Sequence, residues 1–203
     1  MKRTVAIVLF PEVEELDFVG PWEIFTRVKR LEPAECEVYT VSEHGGEVRC
    51  ANGLRVVADH GFAAAPRADV IVVPGGSGTR AQLENPAMID YIRRADAAAE
   101  ITTSVCTGSF LLERAGILNG KRATTHWRSM DQLRALGTVR VAADQRWVDE
   151  GRIVTSAGVS AGIDMALHVV GRLWSPALAR RVQKAVEYLP DPPYGDVPLP
   201  AEV

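Results

Sequence analysis

The sequence predicts an α/β fold, a mainly parallel sheet with helices on both faces. Three apolar runs of strand length carry that expectation: "TVAIVLF" at 4–10, "ADVIVVPGG" at 68–76 and "ITTSV" at 101–105. They are continuous rather than alternating, as strands covered on both sides are. Between them lie segments with apolar residues at helical spacing, and strands alternating with helices give a parallel sheet through crossover connections. No internal repeat interrupts the pattern. A single domain is expected over 1–188, followed by a proline-rich tail, "LPDPPYGDVPLPAEV", at 189–203.

Taken in order, the strand at 4–10 leads into "PEVEELDFVGPWEIFTRVKRL". There Pro21 suits a helix first turn, and Trp22, Phe25 and Val28 recur at helical spacing. "CEVYTVSE" is a second strand, and "GEVRCANGLRVVADHGF" is a hairpin signalled by Asn52-Gly53 as a two-residue turn. The strand at 68–76 ends in a glycine turn, and Asn85-Pro86 opens the helix "NPAMIDYIRRADAAAE". Next come strand "ITTSV", helix "GSFLLERAGIL", strand "RATTH" and helix "WRSMDQLRALG". "RWVDEGRIVTSAG" forms a hairpin around Asp149-Glu150-Gly151, and two helices, 160–174 and 176–188, close the domain.

Composition narrows the function classes. A formal charge of −3 gives no reason to expect nucleic acid, and basic clusters such as "GRLWSPALARRVQK" read as solvated helix faces. No apolar run approaches the ~18 residues of a membrane span, and the N-terminus lacks the small-residue cleavage site of a secretory signal. Cys36, Cys50 and Cys106 are odd in number with no CxxC spacing, so neither a disulfide framework nor a thiolate metal site is expected. A cytoplasmic, reduced protein follows.

Cys106 stands where the strand "ITTSV" gives way to the Gly-Ser start of a helix. Ligands of open α/β sheets collect beyond the carboxyl ends of strands. A helix start presents backbone N–H groups beside the sulfur and favours the thiolate, so a lowered pKa is expected. This is the logic of a nucleophile elbow with sulfur in place of oxygen. A buried structural thiol is the alternative. Cys36 and Cys50 lie in strand-like runs and are expected to be structural.

Two other strand ends offer partners for the thiol. Asp17 sits among Leu16, Phe18 and Val19, where apolar surroundings favour its protonated form and suit it to shuttle protons. A helix or turn cap is the alternative. Gly75 and Gly76 of "PGGSG" allow close backbone approach and offer N–H donors to a developing negative charge. His126 of "ATTHW" ends a predicted strand and either reaches the cleft or caps the next helix beside Trp127. His44, His60 and His168 are read as structural, and no grouping has metal-ligand spacing.

"VPGG", "SVCTGSFLL", "GKRATTHW" and "TSAGVSAGIDMAL", in this order, resemble the ThiJ/PfpI superfamily. The likeness runs from "VAIVLFPEVEELDFVGPWEIF" to "RVQKAVEYLPDPPY". It implies a flavodoxin-like sheet with a cysteine elbow and a homodimer. Within the superfamily the chain is most similar to the isonitrile-hydrating branch: Asp17 in "LDFVGP", Thr107 directly after the cysteine, and the ending "EYLPDPPY". That branch implies addition of water to a small-molecule isonitrile to give an N-substituted formamide, with no metal or cofactor. Cys106 would be the nucleophile, Asp17 the acid/base, Thr107 an orienting group, and Gly75, Gly76 and His126 would border the substrate.

Other branches fit less well. Superfamily proteases have His after the cysteine, where Thr107 stands, and glyoxalase-like members have Glu where Asp17 fits the motif. Sensors joined to an AraC-type DNA-binding module share "SVCTG" and "RATTHW", but 203 residues ending in a proline-rich tail leave no room for that module. A cysteine-based redox or metabolite sensor and a glyoxalase-like hydrolase remain the competing expectations.

Overall fold

The computed structural model describes residues 2–193. Its elements run β1 (Arg3–Val8), α1 (Glu15–Leu31), β2 (Cys36–Ser42), β3 (His44–Arg49), β4 (Arg55–Gly61), β5 (Val70–Val73), α2 (Thr79–Leu83) and α3 (Pro86–Ala98). They continue with β6 (Ile101–Val105), α4 (Gly108–Arg114), β7 (Arg122–Ala123), a 3₁₀ turn (Trp127–Ser129), α5 (Met130–Ala135) and β8 (Arg140–Val141). The hairpin β9 (Trp147–Glu150) and β10 (Ile153–Ser156) and the helices α6 (Ala161–Leu173) and α7 (Pro176–Ala185) follow. The expected tail falls from residue 194 onward outside the described residues.

Eight strands form one sheet in the order β3-β4-β2-β1-β5-β6-β10-β9. The six inner strands pair in parallel, and only the edge strands β3 and β9 are antiparallel. The mainly parallel, flavodoxin-like sheet is therefore as the sequence implies. Strands β5, β6 and β10 are buried along their whole length, which is why they read as unbroken runs rather than alternating ones. Helices α1, α6 and α7 pack together as one layer, and α2, α3 and α4 as another. From β1 the chain crosses to β2 in one direction along the sheet, and from β5 to β6 in the other. The resulting switch point lies between β1 and β5, and open α/β sheets collect ligands at the carboxyl ends of the strands there.

Local chemistry explains the helix and hairpin ends. Asn85 caps α3 by accepting from the Ala87 and Met88 amides, with Pro86 at the first helical position, as "NP" predicts. Ser175 does the same for α7 through the Leu178 amide. The β9–β10 hairpin turns at Gly151, whose φ of 81° suits glycine.

Four expectations are corrected. Helix α1 begins at Glu15, so Pro21 lies inside it instead of opening it, and the Asp17 carbonyl lacks the amide that residue 21 would otherwise donate. The Asn52-Gly53 hairpin forms, but with a longer loop than two residues: Arg49 pairs with Arg55, and the Cys50 amide donates to the Leu54 carbonyl. Cys50 thus sits buried in that connection and not within a strand. The strand expected over "RATTH" shrinks to Arg122–Ala123, paired with β8 outside the main sheet.

Candidate active site

The elbow at Cys106 is held in a conformation that non-glycine residues rarely adopt. Its φ is +57°, in the left-handed region, directly after the last residue of β6. Such strain persists only where neighbours over-determine it. The Cys106 amide donates to the carbonyls of Ser156 (3.3 Å) and Ala157 (3.2 Å) at the end of β10. Its carbonyl accepts from the Thr125 hydroxyl at 2.9 Å and the Ser109 hydroxyl at 3.2 Å. The turn also needs close backbone packing against the strand end of β5. A Cβ on Gly108 would stand 2.1 Å from the Val73 carbonyl oxygen, and one on Gly75 would stand 2.5 Å from the Thr107 nitrogen. Strands β5, β6 and β10 therefore hold the sulfur jointly.

Asp17, in the first turn of α1, comes to the same place and is fully buried. One carboxyl oxygen, Oδ2, accepts from the Gly75 amide at 2.9 Å. The other, Oδ1, has no hydrogen-bond partner among the described residues. The Cys106 thiol and the Val159 amide lie close enough to act on this carboxyl electrostatically. Burial pushes its pKa from 3.8 up to about 7, against the pull of the Gly75 amide and with help from the Glu14 charge. The protonated form of Asp17 is favoured, the property its apolar neighbours in the sequence suggested.

The thiol departs from expectation. Cys106 is only 7% exposed, and burial, reinforced by the Asp17 charge, raises its pKa from 9.0 to about 12. The Thr107 amide and hydroxyl do favour the thiolate, as a helix start should. Desolvation outweighs them. Burial thus favours the neutral thiol, beside a carboxyl whose pKa it also raises.

The glycine donors are also spoken for. The Gly75 amide serves Asp17, and the Gly76 amide donates to Thr107 Oγ1 at 3.0 Å. Both glycines border the site, but their role here is to hold Asp17 and Thr107 in place, not to offer free donors. Thr107 Oγ1 also lies 2.9 Å from Thr79 Oγ1, a buried hydroxyl on α2. His126 follows Thr125, and its ring packs on Gly158, where a Cβ would meet it at 2.2 Å. Its Nδ1 accepts from the Arg128 amide at 3.3 Å and its ring lies 5.7 Å from that of Trp127, so it caps the 3₁₀ turn. Burial and the Arg128 charge lower its pKa.

Thr79, Ser109, Thr125 and Val159 support the site without standing out in the sequence. Ordinary hydroxyl residues in buried strands and turns carry no periodic signal. Thr125 and Val159 had one hint, their place inside "ATTHW" and "SAGVSAG", and Ser109 its place inside "SVCTGSFLL"; Thr79 had none. Among the described residues no group of His, Cys, Asp and Glu is arranged to hold a metal, and no helix is long and apolar enough to cross a membrane.

The chain is similar to known proteins over most of its length. The chain is 38% identical to the isonitrile hydratase of Pseudomonas putida over 194 residues, covering 96% of this chain and 82% of that protein. It is 29% identical over 189 residues to protein DJ-1alpha of Drosophila melanogaster, covering 91% of this chain and 83% of that one. With the HTH-type transcriptional regulator CdhR of Pseudomonas aeruginosa it shares 28% over 185 residues, 91% of this chain but 54% of the regulator. Among solved structures, a ThiJ/PfpI family protein from Pseudomonas syringae superposes with a TM-score of 0.88 at 31% identity, covering 98% of this chain and 80% of that one. The model of the DJ-1/PfpI family matches residues 3–172, and the chain belongs to that family.

Proposed function

We propose that the chain hydrates isonitriles, R–N≡C, to N-substituted formamides, with Cys106 as nucleophile and Asp17 as the proton carrier. The observation that carries this reading is the fully buried Asp17 carboxyl, held by the Gly75 amide at 2.9 Å and brought by α1 to the Cys106 elbow, where burial raises its pKa. The isonitrile carbon must receive a proton as well as a nucleophile. A pair that shares one proton supplies both. The name of the Pseudomonas putida relative supports the same reaction.

The steps balance as follows. Asp17 takes the Cys106 proton and delivers it to the terminal carbon while the sulfur bonds to that carbon, giving the thioimidate R–N=CH–S–Cys. Asp17, ionised again, removes a proton from water as the water oxygen adds to the carbon, and that proton passes to nitrogen. The C–S bond then breaks, the hydroxyl proton returns through Asp17 to sulfur, and R–NH–CHO leaves. Thr107, one residue beyond the sulfur, orients the reacting group through its amide or hydroxyl. No step requires a metal or cofactor. In this reading the chain works in the cytoplasm as a homodimer on a small molecule and water, without nucleic acid or membrane.

Redox sensing is the second reading; it needs a sulfur open to oxidant, and Cys106 is almost fully buried. One panel tests the proposal: an alkyl isonitrile, methylglyoxal and a peptide, each with wild type and Cys106→Ala. Formamide from the isonitrile alone, lost in the variant, supports it. Undiminished hydration by Cys106→Ala, or consumption of methylglyoxal in its place, overturns it.

A further inference from the structure

A cavity of about 260 Å³ is lined in part by Gly76 and by Thr107, the residue after Cys106. Leu83, Phe110 and Leu136 supply its apolar walls, and Thr79, Gln132 and Arg80 complete its lining. The volume falls below the ~300–1,000 Å³ of drug-sized sites, so it suits a small molecule. Arg80 is the one formal charge in that lining. It is exposed, and among the described residues no carboxylate pairs with it, unlike Arg114 nearby, whose side chain bonds the Leu83 carbonyl and approaches Glu84. Leu136, 42% exposed, leaves apolar surface open at the same place.

A guanidinium with free donors at the edge of an apolar cavity matches a carboxylate, which it grips through two parallel N–H···O bonds. We infer that the preferred substrate is an aliphatic isonitrile bearing a carboxylate, its hydrocarbon part in this cavity and its carboxylate on Arg80. The inference rests on the hydration reading for the reactive end. Arg80 acts on binding and not on the chemistry. Its replacement therefore raises KM for the acid, and raises it more than for a neutral alkyl isonitrile.

Binding of the product class tests the cavity separately from turnover. N-formyl-leucine and N-formyl-6-aminohexanoate are titrated calorimetrically against wild type and Arg80→Gln, beside the corresponding neutral amides. At least one acid is expected to bind about tenfold or more tightly than its amide. Arg80→Gln should erase that preference, since a charge-assisted hydrogen bond is worth roughly ten- to a hundredfold. Acids that bind no better than amides, or a preference that survives in Arg80→Gln, overturn the inference whatever the activity shows. A carboxylate preference without hydration of any isonitrile leaves the cavity assignment standing and removes the reaction from it.

Discussion

Replacing Asp17 by Asn should make the protein more stable and less active, and the gain should depend on pH in a defined way. Asp17 is fully buried and its pKa is raised from 3.8 to about 7. Below about pH 4 the carboxyl is neutral in folded and unfolded chains alike, and its burial brings no charge penalty. Between there and about pH 7 the unfolded chain ionises while the folded one keeps its proton, so stability is lost as pH rises through the folded pKa. Above it the loss is complete. A rise of that size corresponds to about 4 kcal/mol. Asn retains the oxygen that accepts from the Gly75 amide and removes the charge. Its amide group, put where Asp17 Oδ1 has no hydrogen-bond partner, takes back part of the gain. The expected advantage of Asp17→Asn is about 2–4 kcal/mol at pH 8, or about 5–15 °C in Tm for a chain of this size, and about nothing at pH 3.5. Thermal and urea unfolding of both proteins at the two pH values measure it. A difference that does not change with pH, or a variant less stable at pH 8, refutes the assignment of Asp17 as a buried carboxyl of raised pKa.

Other outcomes follow from the same geometry. In the proposed hydration, kcat/KM should rise about tenfold per pH unit below about 7 and level off above it, as Asp17 becomes able to accept the thiol proton; a flat profile from pH 5 to 8 contradicts a titrating Asp17. Gly75→Ala forces a Cβ to within 2.4 Å of Thr107 Oγ1, so it should cost about 1–3 kcal/mol and abolish turnover, read by unfolding and formamide release. Because Cys106 has φ +57°, Cys106→Gly should be more stable than Cys106→Ala by about 1 kcal/mol in denaturant titrations, the reverse of the usual order inside a helix or strand. Thr107→Val strips the Gly76 amide of its acceptor and the Thr79 hydroxyl of its partner, and should lower stability by about 1–3 kcal/mol along with activity.

The parallel sheet was legible because its inner strands are buried on both faces, which leaves continuous apolar runs such as "TVAIVLF" that are hard to read as anything else. Helix α3 was legible through a single dipeptide, Asn85-Pro86. Helix α1 was misjudged at its start because Pro21 is a strong local signal, and tertiary packing overrode it: Gly20 and Pro21 lie against Ile163 and Gly162 of α6. The elbow and the nearness of Asp17 followed from their positions after β6 and β1, since strand ends on one edge converge. Two site properties were not legible. The thiol's pKa turns on desolvation, which depends on surrounding atoms from several strands, whereas the helix start is visible locally. The glycine amides looked free because their acceptors, Asp17 and Thr107, are distant in sequence and meet them only in the fold.

The most direct test of a covalent route through Cys106 is rapid-quench mass spectrometry of the wild-type protein mixed with an alkyl isonitrile. Addition of the whole isonitrile to the Cys106 peptide, rising before formamide appears and then decaying, is the predicted result. Formamide released at the full rate by Cys106→Ala, with no mass gained on the wild-type cysteine at any time, would contradict it.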